Sequence, residues 1–520
     1  MTAVAVERAS LRKILTGVVP VTIVAQALSF ASSLALANVL GATVATDAYF
    51  LGLSVPMIAF GILLAAVRLG ALPTLTEWRA KGDEGFNRLS SELFTGVSGG
   101  ALLITIVTTA VAMVALPAAV AEPGTNLAEL TRTTLLELAP LGVLGAMVGI
   151  LGAILAAGGS FVPAAGVLAL EPLAKTVFVL TLGRDWGATT LVVGNLVGSG
   201  LAVAVLWLVL RRRGVTVRLV RHANTAVLRT VFRFSVPLLI SQSVLQVNPL
   251  VDRSMAAGLN SGSVTELELG LRIFAVPTVL LTGTLIGPLT ATWVARFAVD
   301  GWNALRDSVT RALRAVIALI PPLAVAGLLA KDHLIALLYQ GGEYTQTALN
   351  HTADVFGMLV LGLPAQVAVV VLSTLFIVRG DSVFPMKLGI ANVLLNVGLN
   401  LALRPVLGIA GIALSTTLTF MLLVGVSALV AQRRWRAIDI AELRDVGARA
   451  AISTAAIAGA GVVILSAANF GKDRLGALIA TGAIALMALI VHGLALSLWR
   501  GQGHDSVRSQ LRTLIARSHA

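Results

Sequence analysis

The stretch ATTLVVGNLVGSGLAVAVLWLVLRRR (188–213) carries no charged side chain until its last three residues, which are all arginine. An α-helix needs about 20 apolar residues to cross the hydrocarbon core of a bilayer. Residues 188–210 are therefore long enough to span a membrane once. A cluster of arginines at the end of such a span is typical of the cytoplasmic side of a membrane protein.

Similar apolar segments recur along the whole chain. Hydrophobic residues make up 57% of the 520 residues and charged residues only 12%, whereas a soluble domain carries about 25% charged residues. The sequence therefore predicts an all-α integral membrane protein of about fourteen transmembrane helices. The predicted spans lie near residues 17–38, 46–68, 92–119, 132–157, 161–183, 188–210, 232–257, 266–295, 312–330, 352–378, 383–403, 408–431, 448–469 and 474–499.

The basic residues lie mostly in alternate gaps between these spans. With the N-terminus inside, the inner segments hold 28 of the 38 Lys and Arg residues and the outer segments hold seven. Such a bias orients membrane proteins, so both termini are predicted to be cytoplasmic. The net charge of +13 is therefore explained by the basic inner segments of a membrane protein. No basic domain exists that would bind nucleic acid.

The chain shows none of the common enzyme signatures. It has no cysteine, which excludes disulfides, thiolate metal sites and cysteine nucleophiles. HExxH, Walker and GxSxG motifs are also absent from the sequence. We expect a protein that is not an enzyme.

The second half of the chain weakly repeats the first. GGSFVP (158–163) resembles GDSVFP (380–385), and the arginines at 211–213 recur at 433–434. Three prolines recur at offsets of 221, 224 and 222 residues, and Asp47 and Glu268 each stand nine residues before the first proline of their half. Six spans fit in this period, and an even number preserves direction. We therefore predict two parallel six-helix lobes around a central cleft, plus two C-terminal helices.

These patterns divide the chain into seven predicted segments. They are a cytoplasmic N-terminus (1–15), an N-lobe (16–211), a basic cytoplasmic linker (212–231), a C-lobe (232–432), a second cytoplasmic linker (433–447), two further helices (448–499) and a cytoplasmic tail (500–520).

Ionisable residues inside predicted spans are candidates for function, because burying them in a membrane is costly. Arg272 either binds an anion in the cleft, since a guanidinium grips phosphate bidentately, or pairs with Glu266 or Glu268. Glu171 and Lys175 lie four residues apart on one helix face, where they either neutralise each other or meet the substrate. Arg68 lies close to the inner end of its span, where it either faces the cleft or reaches the lipid headgroups.

Three asparagines, Asn392, Asn396 and Asn400, are spaced to form one polar stripe on a helix. They either hold helices together by hydrogen bonds or coordinate a cation together with Asp252, since hard cations prefer oxygen ligands. Gln26 is a further polar candidate for the cleft.

Several segments resemble the MurJ/MviN family, the lipid II flippases of the MOP exporter superfamily. GATVATDAYF (41–50) is similar to that family's junction between the first two helices, and VDRSMAAGLNSGSV (251–264) with LRIFAVP (271–277) to its seventh and eighth. IVRGDSVFPMKLGIANVLLNVGLNLAL (377–403) and GIAGIALST (408–416) are similar to helices ten to twelve. The resemblance covers roughly residues 10–440.

This resemblance implies a function. Members of the family move an undecaprenyl-pyrophosphate-linked disaccharide-peptide across the bacterial inner membrane for peptidoglycan synthesis. By resemblance, Arg272 and Asp47 take the places of substrate-site residues, and Asp252, Asn392, Asn396 and Thr416 fall at or near a possible sodium site. The two C-terminal helices would hold the lipid tail in a groove. No other cofactor is implied, and sodium or the membrane potential would drive transport.

The sequence departs from the family where the pyrophosphate is held. The family usually has two arginines in its first helix and one in its second, but Gln26, Ser32 and about Phe60 stand at the matching places. Lys175 could compensate as a buried cation. The departure keeps other functions open: a flippase for another lipid-linked oligosaccharide, a small-molecule or drug antiporter, or a scaffold for cell-wall synthesis proteins that transports nothing.

Overall fold

The computed structural model describes residues 17–67, 71–120, 126–220, 248–381, 383–468, 470–471 and 473–498. These residues form α-helices joined by short turns, and no β-strand occurs among them. The all-α class predicted from the sequence is confirmed. The helices are α1 (Val19–Val39), α2 (Val44–Ala66), α3 (Leu72–Lys81), α4 (Asp83–Val120), α5 (Leu127–Leu138), α6 (Pro140–Ala157), α7 (Phe161–Gly166), α8 (Leu170–Trp186), α9 (Thr189–Arg212), α10 (248–257), α11 (Ser263–Tyr339), α12 (Gln346–Leu361), α13 (Leu363–Val378), α14 (Val383–Trp435), α15 (Ile440–Ala467) and α16 (Arg474–Leu498).

Two of these helices are each broken at one glycine. The backbone of Gly301 in α11 (φ 72°, ψ −158°) and of Gly408 in α14 (φ 58°, ψ −134°) is not helical, and positive φ costs glycine nothing because it lacks a Cβ. Each break separates two predicted spans. Each of the fourteen predicted spans therefore overlaps a helix, although only residues 248–257 of the seventh span are described.

Length and hydropathy support the membrane assignment. Within the described residues, nine helices are long and apolar enough to cross a membrane, and α12 with α13, bent by 41°, would add a tenth. On α4, Leu103, Ile106, Val111 and Val114 are more than half exposed, while Ala101 on the same helix is fully buried. A large exposed apolar surface of this kind is what a protein presents to lipid.

The chain divides into two compact units. The first comprises Met1–Glu268 and Gly341–Ala348, and the second comprises Leu269–Gln340 and Leu349–Ala520. The first unit extends beyond the predicted N-lobe because residues 248–268 pack within it. The short segment 341–348 joins it because the Glu343 N–H donates a hydrogen bond of 3.0 Å to the Asn38 carbonyl. The predicted lobe boundaries themselves stay predictions.

In the first unit, glycines allow two helices to approach closely. A Cβ built on Gly194 of α9 would lie 2.6 Å from Lys175 Cα, and one built on Gly198 would lie 2.4 Å from Glu171 Cα. Small residues four apart produce such close helix packing in membranes, where it is driven by van der Waals contact. Asn195 of α9 also donates a hydrogen bond of 2.5 Å to the hydroxyl of Tyr49 in α2.

In the second unit, α15 and α16 pack on the later part of α11. Ala326 and Ala330 of α11 form a buried cluster with Ile457 of α15 and with Ile484 and Ala488 of α16. Arg314 of α11 forms an ion pair of 2.5 Å with Glu442 of α15. The two C-terminal helices are therefore an integral part of this unit.

We predict that Gly198→Ala destabilises the protein. The new methyl group would overlap the backbone of α8, and overpacking of this kind costs about 1–3 kcal/mol. Thermal unfolding in detergent, followed by tryptophan fluorescence, should show a lower Tm. Gly200→Ala on the same helix is the matched control, because a Cβ there meets no atom within 4 Å. Equal Tm values for the two variants would contradict the predicted close packing.

Candidate functional site

Arg272 lies on α11 in the second unit and is half-buried. It lies close enough to Tyr339 for an electrostatic interaction with that side chain, and Tyr339 is fully buried. Of the two carboxylates considered as its partners, Glu268 forms an ion pair with Arg253 at 2.5 Å. The role of Arg272 in binding an anion stays a prediction.

Glu171 and Lys175 meet each other on α8. Lys175 Nζ lies 2.7 Å from Glu171 Oε1, with the lysine side chain 7% exposed and the glutamate side chain 40% exposed. This is the self-neutralising pair that the four-residue spacing allowed. Their contact with α9 through Gly194 and Gly198 explains why the lysine is buried. A paired lysine presents less positive charge to a ligand than an unpaired one would.

Asp47 is buried near the start of α2 and caps the start of α11. Its Oδ2 accepts a hydrogen bond of 2.7 Å from the Gly262 N–H. Its Oδ1 accepts from the N–H and the hydroxyl of Thr265, at 2.8 and 2.7 Å. Backbone N–H groups at a helix start have no partner within the helix, so the carboxylate satisfies donors that would otherwise be unpaired. The substrate-binding role of Asp47 stays a prediction beside this structural one.

Arg253 is a buried cation that the sequence analysis did not select, because its position lies at the predicted outer end of a span. Its side chain is 14% exposed and pairs with Glu268. It also donates a hydrogen bond of 2.7 Å to the Ser54 hydroxyl. A signal was present in the sequence, since Glu268 is the repeat counterpart of Asp47. Both carboxylates thus bind partners in the segment 253–265.

The polar stripe on α14 forms a hydrogen-bonded network across the Gly408 break. Asn396 Nδ2 donates to Thr416 Oγ1 at 3.2 Å, and Asn400 Nδ2 donates to Asn396 Oδ1 at 3.1 Å. The Ser415 hydroxyl donates to Asn400 Oδ1. The structure therefore places Asn396 and Thr416 together, as a shared ligand set requires, and gives both a role in joining the two halves of α14.

The remaining candidates have different surroundings. Gln26 on α1 is exposed and Ser32 on the same helix is buried. Phe60 packs directly on α6, because a Cβ built on Gly145 would lie 2.6 Å from its ring. Asp252 on α10 and Asn392 on α14 are both half-buried. Arg68 lies outside the described residues.

An apolar cavity of about 500 Å³ adjoins α16 in the second unit. Residues of α11, α12 and α16 line it, among them Pro277, Phe356 and Leu489. Its lining is apolar apart from Thr481 and His492, as a site for a hydrocarbon chain requires. The use of the two C-terminal helices as a lipid-tail groove stays a prediction.

We predict that Asp47→Ala loosens the start of α11. Removing the carboxylate leaves the Gly262 and Thr265 donors without their acceptor, which costs about 1–3 kcal/mol for each buried group. Hydrogen–deuterium exchange should rise in peptides that cover residues 260–266. Asp185→Ala removes an exposed carboxylate and should leave these peptides unchanged. Unchanged exchange in the Asp47 variant would show that the cap is unimportant.

Comparison with known proteins gives a consistent result. The model of the family described as lipid II flippase MurJ matches residues 36–478. A probable lipid II flippase MurJ of Rhizobium tropici is 27% identical over 353 residues, which cover 65% of this chain and 65% of that protein. A probable lipid II flippase MurJ of Buchnera aphidicola is 24% identical over 430 residues, which cover 79% of this chain and 81% of that protein. The chain thus spans just under two thirds of the length of the Rhizobium tropici relative.

Solved structures show the same fold. A lipid II flippase MurJ in an inward closed conformation superposes with a TM-score of 0.75 at 18% identity, covering 92% of this chain and 97% of that one. An inward-facing multidrug resistance MATE family transporter of the MOP superfamily superposes with a TM-score of 0.63 at 17% identity, covering 81% of this chain and 96% of that one. These similarities show that the chain shares the fold of these two proteins.

The family model extends over well more than half of the chain, from α1 into α16. The resemblance inferred from the sequence motifs is therefore confirmed, and this multi-pass membrane protein belongs to the MurJ family.

Proposed function

We propose that this protein flips an undecaprenyl-pyrophosphate-linked glycan, most simply the peptidoglycan precursor lipid II, across the bacterial inner membrane. The observation that carries the proposal is the family match over residues 36–478. Transport occurs by alternating access, in which two parallel repeats move around a cleft. The protein is a transporter and not an enzyme, and both termini are cytoplasmic.

Within this proposal, Arg272 is the main ligand for the pyrophosphate. A guanidinium binds phosphate oxygens in a bidentate, charge-assisted way. Lys175 is a weaker candidate than its residue type suggests, because Glu171 neutralises it at 2.7 Å. Phe60 packs on Gly145 and supplies no charge. The cargo is therefore held with fewer cationic contacts than the family usually provides.

The energy source in this proposal is sodium or the membrane potential. The side chains of Asn396 and Thr416 are neighbours, since Asn396 Nδ2 donates to Thr416 Oγ1, and a small cation would be bound by the amide oxygen of Asn396, which here accepts from Asn400, and by the Thr416 hydroxyl. Asp252 and Asn392 complete the proposed ligand set. The membrane potential is an independent source, since moving one charge through 100 mV yields about 2.3 kcal/mol.

A second candidate function is the export of a small molecule or drug by antiport. The fold similarity to a multidrug resistance MATE family transporter, with a TM-score of 0.63, supports it. The family match favours the flippase. A scaffold role with cell-wall synthesis proteins as partners is a third possibility, suggested by the reduced set of arginines.

We predict that depletion of the protein makes lipid-linked precursor accumulate inside the cell, and that Arg272→Ala fails to reverse this. Losing a charge-assisted contact costs about 1.5–3 kcal/mol, so cargo binding should weaken roughly tenfold or more. Extraction and mass spectrometry of precursor lipids measures the effect. Arg184→Ala, which removes an exposed arginine, should restore normal precursor levels.

Other outcomes identify the other functions. Normal precursor levels on depletion, with altered drug sensitivity, would favour the antiporter. Full complementation by Arg272→Ala, where deletion is harmful, would favour the scaffold.

We also predict that transport in proteoliposomes slows when sodium is replaced by choline at a fixed membrane potential. Asn396→Ala should remove this dependence, because it deletes one proposed ligand. The assay follows protease- or dye-accessible cargo with the potential clamped by potassium and valinomycin. If transport is unchanged without sodium but stops at zero membrane potential, the proposed sodium site is wrong. The membrane potential is then the driving force.

A further inference from the structure

A small polar cavity in the first unit is lined by none of the candidate site residues discussed above. Its volume is about 250 Å³, several times the roughly 30 Å³ that a water molecule occupies in the liquid. Arg79, Gly158, Ser160 and Arg213 are among the residues that line it. Within the described part of the chain, no Asp or Glu lines this cavity.

The polar residues of this cavity come from three separate places in the sequence. Arg79 lies in the last turn of α3, Gly158 and Ser160 link α6 to α7, and Arg213 follows α9. The charge pattern of the sequence predicts that all three places lie on the cytoplasmic side. This topology predicts a cavity near the cytoplasmic lipid headgroups.

The cavity carries positive charge from Arg79 and Arg213. The internal repeat shows which negative group the second unit has at the equivalent place. In the first unit Arg213 Nη1 donates to the Ser160 hydroxyl, and the Ser160 N–H donates to the Leu155 carbonyl at 2.9 Å. In the second unit Arg434 Nη1 donates to Asp381 Oδ2 at 2.6 Å, and the Asp381 N–H donates to the Phe376 carbonyl at 2.9 Å.

The turn at Ser160 and the turn at Asp381 correspond residue by residue. Arg434, Asp381 and Phe376 each stand 221 positions after Arg213, Ser160 and Leu155. The glycines before the two acceptors, Gly159 (φ 75°) and Gly380 (φ 79°), share the same left-handed backbone. The two turns therefore have the same backbone design and differ in the residue that accepts from the arginine.

The difference is one of charge. The hydrogen bond from the Phe384 N–H, with Arg434 acting in the same direction, holds the pKa of Asp381 below its ordinary value, so this carboxyl is ionised at neutral pH. In the second unit, the arginine is thus neutralised by the protein itself. A serine hydroxyl at the same place in the first unit satisfies one N–H of Arg213 and leaves its positive charge in place.

We propose that the cavity bounded by Arg79, Ser160 and Arg213 binds a phosphate group, which supplies the negative charge that Asp381 supplies in the second repeat. Two guanidinium groups and a hydroxyl are donors suited to phosphate oxygens. The Arg79 guanidinium is held 4.9 Å over the Phe86 ring, an arrangement that positions it before a ligand arrives. The phosphate is that of an anionic phospholipid headgroup or of a soluble phosphate. This site goes beyond the proposed flippase activity and does not depend on it.

The test is native mass spectrometry of the full chain purified in detergent. Phosphatidylglycerol is the anionic probe, phosphatidylcholine is the probe without net charge, and inorganic phosphate is the soluble competitor. We expect the wild-type protein to retain phosphatidylglycerol in preference to phosphatidylcholine. Arg213→Gln and Ser160→Asp should each weaken phosphatidylglycerol binding about tenfold or more, through loss of a cation or insertion of an internal carboxylate.

Two variants serve as matched controls. Arg212→Gln removes the same charge from the adjacent residue, which does not line the cavity, and it should bind as the wild type does. Ser160→Ala removes the hydroxyl without adding a carboxylate and should lose much less affinity than Ser160→Asp. If Ser160→Asp fails to fold, the comparison of Arg213→Gln with Arg212→Gln decides the question.

The competitor identifies the source of the phosphate. Displacement of phosphatidylglycerol by millimolar inorganic phosphate supports a site open to soluble phosphate, and its retention supports a lipid site. Equal phosphatidylglycerol binding by wild type, Arg213→Gln and Ser160→Asp would overturn the proposal. Equal binding of phosphatidylglycerol and phosphatidylcholine by the wild type would also overturn it.

Discussion

The hydrocarbon core of a bilayer offers no water to hydrogen-bond with, so each polar group placed there must find its partner inside the protein. The helix satisfies this requirement for the backbone, and the described residues of the predicted spans therefore lie mostly in helices. Side-chain hydroxyls follow the same rule. Thr176 and Thr181, for example, each donate 2.7 Å hydrogen bonds to the carbonyl four residues earlier on α8.

The same constraint governs the ionisable side chains. Lys175 pairs with Glu171, Arg253 pairs with Glu268, and Asp47 accepts three hydrogen bonds from Gly262 and Thr265. A cation or carboxylate without such contacts would be expensive to bury. Residues that look like substrate ligands because they are charged and inside a span can therefore be structural.

The two halves of the chain contain two versions of one turn. The turn at Gly159 and the turn at Gly380 share a left-handed glycine and the same main-chain hydrogen bond. In one turn Arg434 donates to the carboxylate of Asp381, and in the other Arg213 donates to the hydroxyl of Ser160. The two C-terminal helices lie outside the repeat, yet they pack on α11 through a common apolar cluster.

The sequence alone determined the all-α membrane class, the positions of the helices and the internal repeat. These features depend on local composition. The length of each apolar segment predicts a span, and the distribution of Lys and Arg predicts its orientation. The sequence marked Arg272 and the asparagine stripe as polar groups inside predicted spans, and the resemblance to the family added Asp47 as a substrate-site candidate; these functional roles stay predictions. The sequence could not choose between pairing and function for Glu171 and Lys175, although their spacing permitted the pair that forms.

Only the tertiary structure decided which distant residues meet. The contact of Asp47 with Gly262 and Thr265 joins positions more than 200 residues apart, and no local pattern specifies it. The repeat marked Glu268 as the counterpart of Asp47, but only the packing of the helices showed that Arg253 is its partner and also contacts Ser54. The cavity at Arg213 likewise depends on segments distant in the sequence that come together only when the helices pack. Local chemistry fixes what each segment is, and packing fixes which side chains face one another.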